Sequence, residues 1–147
     1  MKMRIEIKKL EEGAKMPTRG SEQAAGYDLY AKSSEDLIIP AHQTMMVGTG
    51  LAAAIPDGYF GAIFARSGLA SKRSLRPANC VGVIDSDYRG ELIVALHNDS
   101  DEDRTIEAHE RIAQLVIMPY LSVEFDEVSE LSETERGTGG FGSSGTK

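Results

Sequence analysis

The sequence has no tryptophan, one cysteine (Cys80) and five prolines. A single cysteine excludes an internal disulfide and any multi-cysteine zinc or iron–sulfur centre, and it fits a reducing compartment. Positive charge is scarce: 16 Lys and Arg stand against 23 Asp and Glu, a formal net charge of −7. That is the wrong sign for a protein that coats nucleic acid. Long apolar runs are missing as well. The longest clean one, Leu115-Val116-Ile117-Met118, stops at Pro119, far short of the ~20 residues of a membrane span. The opening MKMRIEIKKL interleaves charge where a secretory signal needs an unbroken apolar core. The expectation is a soluble, cytoplasmic protein with neither a nucleic acid nor a membrane as partner.

What is present is short and punctuated. A chain of 147 residues is one domain of ordinary size, able to bury ~68–70% of its unfolded surface without staples. Met3, Ile5 and Ile7 alternate with Arg4, Glu6 and Lys8, the period of two that turns one face of a strand inward. Similar short segments follow near 27–31, 37–39, 44–54, 59–65, 79–84, 91–97, 104–107, 111–118 and 122–128, separated by breaks such as Pro56-Asp57-Gly58, Arg89-Gly90 and Asn98-Asp99-Ser100. About ten strands imply an all-β jelly roll, sandwich or barrel. The one helical window, Ser67 to Arg73, has length for two turns and no more.

Two segments stand apart from this pattern. Residues 124–135 carry Glu124, Asp126, Glu127, Glu130, Glu133 and Glu135 with no base, a solvated and self-repelling connector. The last twelve residues, RGTGGFGSSGTK, hold five glycines and two serines and bury too little to order themselves, so they read as a flexible arm. The chain therefore divides into a β domain, 1–135, and a C-terminal arm, 136–147. Residues 58–90 are the basic exception in an acidic chain, with Arg66, Lys72, Arg73, Arg76 and Arg89 against Asp85 and Asp87. A local anion site explains that surplus, and so do scattered solvent-facing bases.

Each candidate motif has a bland reading beside a chemical one. Gly137-x-Gly139-x-x-Gly142 matches a dinucleotide fingerprint, but no helix follows it to receive a pyrophosphate. ARSGLA (65–70) sets Arg66 and a hydroxyl at the start of the helical window, a phosphate seat or merely a Ser67 cap. IDSDYRG (84–90) lies between apolar strands and reads as a hairpin tip exposing Asp85, Asp87 and Tyr88. There an Asp is either turn chemistry or a base for an attacking water. Asp28 sits in a half-apolar strand and needs a partner or a wet face. Arg111 and Gln114 are three apart in a strand and face opposite ways unless a bulge intervenes. His42, His97 and His109 lack metal-ligand spacing, Cys80 reads as packing in an apolar strand, and Asn98-Asp99-Ser100 reads as a turn rather than a glycosylation acceptor.

In order, AGYDLYA, ARSGLA, NCVGVIDSDYRGEL, ERIAQLVIMP and RGTGGFGSSG resemble the five motifs of the trimeric dUTPases, over residues 25 to 145. The resemblance implies a jelly-roll-like subunit in a homotrimer with shared sites, hydrolysing dUTP to dUMP and pyrophosphate with Mg²⁺, which limits uracil in DNA and supplies dUMP for thymidylate synthesis. It assigns Asp85 to the water that attacks the α-phosphorus and Tyr88 to the ring beneath deoxyribose. Asn79, Gly82 and Ile84 fall to the uracil edge, and Arg66, Ser67, Gly68 and Gln114 to the phosphates. Asp28 becomes a carboxylate linked to the metal through water, with Arg111 a structural partner. In the arm, Phe141 closes over uracil, while Arg136, Gly142, Ser143 and Ser144 clasp the γ-phosphate. Ser144 stands where many members carry Thr, which keeps the hydroxyl. The alternatives are a related-fold dCTP deaminase and a noncatalytic dUTP-binding regulator.

Overall fold

A computed structural model describes residues 3–143 and residue 145. Its strands, in chain order, are β1 (Glu6–Lys9), β2 (Thr18–Arg19), β3 (Tyr27–Tyr30), β4 (Leu37–Ile39), β5 (Thr44–Gly48), β6 (Leu51–Ala54) and β7 (Tyr59–Phe64). After helix α1 (Ser67–Arg73) come β8 (Leu75–Pro77), β9 (Gly82–Ile84), β10 (Ile93–Asn98), β11 (Arg104–Ile106) and β12 (Arg111–Pro119). All recorded pairings are antiparallel, in four sheets: β1-β6, β5-β10-β8, β11-β4 and β2-β3-β12-β7-β9. This is the expected all-β, jelly-roll-like subunit with one short helix, and among the described residues no sheet closes into a barrel.

Alternation places the core. On β10, Val94, Leu96 and Asn98 point inward while Ile93, Ala95 and His97 face out. Leu29, Ile39, Leu51, Leu75, Leu92, Ile106 and Ile112 join Val94 and Leu96 in one cluster fed by every sheet. Asn98 and Thr49 are the buried polar residues of that interior among the described residues, and Asn98 is fully bonded. Its Nδ2 donates to the carbonyls of Ile39 and Glu102, and its Oδ1 accepts from the main chain and hydroxyl of Ser100. A buried amide so fully satisfied organises the turn as a structural residue, as expected for Asn98-Asp99-Ser100.

Several boundaries differ from expectation, each for a local reason. The 44–54 segment is two strands in different sheets, broken where Gly50 takes φ +69°, a conformation glycine supplies without steric cost. The 79–84 segment is strand only from Gly82. Cys80 is exposed in a bend at φ +62°, so it does not pack in a strand. Residues 84–90 are not a hairpin tip, because β9 pairs with β7 whereas β10 lies in another sheet between β5 and β8; the segment is a crossover. No strand forms at 122–128, and β2 and β8, two and three residues long, are too short to leave a periodic signal in the sequence.

Beyond Pro119 the described chain leaves the body. Tyr120 is still tied, its N–H to the Gly58 carbonyl and its hydroxyl to Asp57. After it Leu121, Phe125 and Leu131 are 88%, 94% and 87% exposed.

Candidate active site

Asp28 is where the phosphate-type residues meet. It lies on β3 directly across from Gln114 of β12. The register shifts between Arg111 and Ala113, and this irregularity is the bulge that Arg111 and Gln114 required in order to approach one carboxylate. Arg66 Nε donates to Asp28 Oδ1 at 3.0 Å and Arg111 Nη1 to Oδ2 at 3.2 Å. The carboxylate is 15% exposed, so its partnership meets the need that burial creates. Gln114 Nε2 donates to the Ala65 carbonyl at 2.8 Å, locking the chain just before Arg66. A methyl at Gly26 would stand 2.2 Å from Gln114 Oε1, so glycine makes the room in which that amide lies.

Asp28, Arg66, Ser67, Gly68 and Gln114 line one cleft of about 170 Å³. Arg66 itself is the residue before α1, without a side-chain cap. Ser67 is therefore not the cap, and its exposed hydroxyl is uncommitted to capping. Two guanidiniums around one carboxylate leave a net positive, donor-rich corner, suited to an oxyanion.

A second, wider cleft of about 740 Å³ holds Asp85. It is lined by Asp57, Phe60, Val83, Asp85, Ser86, Asp87 and Tyr120, of which Asp57, Phe60 and Tyr120 were not singled out from sequence. They arrive from β7, from the Pro56-Asp57-Gly58 turn before it and from the end of β12, and only the turn carries a local signal, one of chain reversal rather than of a site.

The segment after Asp85 is held from both ends. Tyr88 Oη donates to the Glu91 carbonyl at 2.9 Å, and a methyl on Gly90 would fall 2.4 Å from that hydroxyl oxygen, so the ring folds back onto bare glycine. The Glu91 carboxylate accepts from the Gly50 N–H at 2.8 Å and pairs with Lys32 Nζ at 3.0 Å. Burial pushes the Glu91 carboxyl up, but the Gly50 N–H and Lys32 outweigh it and hold the group below its usual range. Lys32 is raised in turn, first by its hydrogen bond to Glu91. Neither residue was picked out from sequence; a lysine just past β3 and a glutamate just past a glycine are ordinary by pattern.

Gly82 and Ile84, which the resemblance assigns to the base, lie on β9, the edge strand of the five-stranded sheet. Gly82 and Ile84 pair with Ile63 and Gly61 on one side, leaving the other side of the strand without a partner and its main-chain groups available. Asn79 precedes it in the bend, where a methyl built on Gly82 would come 3.7 Å from Asn79 Nδ2.

The two clefts share no lining residue, and register explains why. Ile84 stands opposite Gly61, so Asp85 follows toward Phe60, at one end of β7, while Arg66 lies just past the other end. Six residues at ~3.3 Å each separate those ends by ~20 Å. The arm joins neither cleft: Arg136 Nε donates to the Gly139 carbonyl, Ser143 N–H to Gly140, and Phe141 and Gly142 hold φ +51° and +87° in exposed turns. Ser144 lies outside the described residues. No cluster of three or more metal-ligating side chains occurs among the described residues, and no helix there is long and apolar enough to cross a membrane.

The dUTPase family model matches residues 12–145. The chain is 50% identical over 143 residues to the deoxyuridine 5′-triphosphate nucleotidohydrolase of Nautilia profundicola, covering 97% of this chain and 99% of that one. It is 48% identical to the mitochondrial enzyme of the same name from Dictyostelium discoideum, covering 97% and 78%. Among solved structures, the Staphylococcus bacteriophage 80alpha dUTPase with dUPNHPP superposes at TM-score 0.89 with 33% identity, over 97% of this chain and 99% of that one. A mutant dUTPase from phage phi11 of S. aureus, described as coordinating a structural Mg(II) ion, follows at TM-score 0.77 and 28% identity, covering 87% and 98%. An ordered run of five weak motifs, a jelly-roll-like subunit and near full-length relatives converge on one assignment: the chain belongs to the dUTPase family.

Proposed function

We propose that this chain is a dUTP diphosphatase whose active site is assembled from more than one copy, as a homotrimer. The activity rests on the family and its relatives, which do not favour a deaminase or a noncatalytic regulator. The assembly rests on the ~20 Å between Asp85 and Arg66 along β7. A base that deprotonates water at the α-phosphorus and a guanidinium that holds the same triphosphate must lie within hydrogen-bond reach of neighbouring atoms. One chain cannot supply both to one substrate.

In the assembled site, the pyrimidine lies along the unpartnered edge of β9, its polar edge met by Asn79 and the main chain of Gly82 and Ile84. Deoxyribose rests on Tyr88, whose ring leaves no space for a 2′-hydroxyl. Asp85 accepts a proton from water as the water oxygen bonds to the α-phosphorus; the bond from that phosphorus to the α,β-bridging oxygen breaks, and pyrophosphate departs with the electron pair. Arg66, Ser67, Gly68 and Gln114 of a neighbouring copy hold the phosphate oxygens as charge shifts toward the leaving group. The arm closes last, with Phe141 on the base and Arg136, Gly142, Ser143 and Ser144 at the γ-phosphate, excluding competing water.

The residues present fit a magnesium ion carried by the substrate. One carboxylate, Asp28, faces a donor-rich corner, and Mg²⁺ prefers phosphate oxygens plus water and one or two carboxylates. Held there with Asp28 through water, it would neutralise charge on the triphosphate.

The groove beside β1 suits the extended segment of a second copy. Ile5, Ile7, Met16, Tyr27, Ala53, Ile55, Leu115 and Ile117 line an apolar hollow of about 520 Å³ with Arg19 at its rim, and Leu121, Phe125 and Leu131 project from an acidic connector with nothing to cover them. The deciding experiment measures pyrophosphate release from dUTP, dTTP, dCTP and UTP in parallel, with and without magnesium. Fast release from dUTP alone supports the reading; binding without release, or ammonia from dCTP, overturns it.

A further inference from the structure

Arg76, on β8, uses its guanidinium in two directions. Nε and Nη2 donate to the two oxygens of Asp99, at 2.6 and 2.9 Å. Nη1 donates to the carbonyls of Pro77 and Ala78, at 3.2 and 3.5 Å. Those carbonyls belong to the two peptide groups that lead into Asn79.

The stretch they begin is strained. Cys80 is a non-glycine residue at φ +62°, and the Val81 N–H closes onto the Asn79 carbonyl at 2.7 Å. Such conformations persist only where surrounding contacts over-determine them. The main chain supplies two ties, the Ala78 N–H to the Ala95 carbonyl at 2.7 Å and the Cys80 N–H back to the Pro77 carbonyl at 3.0 Å, and Arg76 adds side-chain bonds to both carbonyls that lead into Asn79. Its own support is rigid: Asp99 donates its N–H to Ser74 and follows the buried, fully bonded Asn98. The Arg76 hydrogen bonds hold the Asp99 carboxyl below its usual range, and those same bonds raise the guanidinium, so the pair stays ionised.

We infer that Arg76 is a positioning residue for pyrimidine recognition: seated on Asp99, it fixes the peptide planes before Asn79 and so aims the Asn79 amide across Gly82. The inference rests on the assignment of 79–84 to the base. A planar fork is required, because a lysine keeps the charge and reaches Asp99 yet cannot hold a carboxylate and two carbonyls together.

The test compares steady-state kinetics on dUTP and dCTP, with melting temperatures, for the full chain and for Arg76→Lys, Arg76→Ala and Asn79→Ala. The expected result for Arg76→Lys is a KM for dUTP raised about tenfold, kcat within about twofold, and the ratio of kcat/KM for dUTP over dCTP lowered about tenfold, at nearly parental melting temperature. Arg76→Ala shifts KM and the ratio at least as far. An Arg76→Asp, Asp99→Arg double variant separates positioning from stability: it restores an ion pair but removes the guanidinium from the Pro77 and Ala78 carbonyls, so melting recovers while KM does not. Unchanged KM and ratio in both single Arg76 variants, with Asn79→Ala impaired, overturn the inference alone. An unimpaired Asn79→Ala overturns the base-reading assignment and the inference with it.

Discussion

Arg66 donates from Nε to Asp28 Oδ1 across 3.0 Å, and this bond aims the guanidinium at the cleft it shares with Ser67 and Gln114. Arg111 meets the other oxygen. Replacing Asp28 by Asn removes the charge that keeps two guanidiniums together and leaves them repelling. Charge-assisted hydrogen bonds contribute ~1.5–3 kcal/mol each, so kcat/KM for dUTP in Asp28→Asn falls at least about tenfold. Arg111→Ala, which leaves the Arg66 bond in place, loses less. Equal losses in the two variants, or none in Asp28→Asn, contradict the aiming role.

Asp85→Asn keeps the shape of the side chain and removes the base. Binding of a nonhydrolysable dUTP analogue should persist while turnover drops by ~10²–10⁴-fold. Turnover within threefold of the parent would remove Asp85 from the mechanism.

Gly90→Ala tests the ribose filter from beneath. The new methyl falls 2.4 Å from Tyr88 Oη and 2.5 Å from its Cζ, so the ring must leave its seat on the Glu91 carbonyl. The kcat/KM ratio of dUTP over UTP is expected to fall by about tenfold or more, as in Tyr88→Ala. A ratio preserved in both variants places the discrimination elsewhere.

Acid should loosen the clamp behind Tyr88. The Glu91 carboxyl titrates below its ordinary value of 4.5 in the folded chain. Its contribution to stability is therefore present above that value and is lost as pH falls through the lower folded one. Lys32 has its pKa raised above 10.5; its contribution is present below 10.5 and is lost as pH rises through the higher folded value. Melting temperatures of the parent and Glu91→Gln should differ at pH 7, and the gap should narrow as pH falls below 4.5. A gap that stays constant across that range removes the ionised carboxylate from the explanation.

Two inactive chains should rescue each other. Asp85→Asn copies refolded at equal ratio with copies truncated after Glu135 give about three quarters mixed trimers under closed threefold assembly. If the base and the arm come from different copies, every mixed trimer owns one intact site in three, and roughly a quarter of parental activity returns. Activity no higher than the two samples measured apart, in a preparation shown to contain mixed trimers, excludes sharing.

The parts legible from sequence were those written locally. Alternation marked Ile5 and Ile7, now packed on the core, and Ser67–Arg73 carries the helix read there. The need for a bulge between Arg111 and Gln114 followed from parity alone, and the register supplies it. What stayed hidden depends on contacts between distant segments. Val83 and Val94 look like arms of one hairpin, yet they belong to different sheets, because pairing partners are chosen by the whole core. Asp57 and Tyr120 join Asp85 only through the end of the β7–β12 ladder. Val123 and Phe125 have strand character but find no ladder within one chain. Positions 79–81 read as extended because Asn, Cys and Val permit it; the bend is closed by the Cys80 N–H on the Pro77 carbonyl and braced by Arg76, a residue that carries no local turn signal.

With Asp85 as the proposed base and Arg66 as the proposed phosphate ligand, the length of β7 leaves an isolated polypeptide inert. Six residues of rigid ladder hold the Asp85 end and the Arg66 end apart, and no side-chain motion bridges ~20 Å. Catalysis is then a readout of assembly. On dilution below the concentration at which copies dissociate, specific activity should fall more steeply than a first-order loss of chains, and substrate, by bridging copies, should pull the assembly back together. A cell making too little of this protein would lose the activity before it lost the protein.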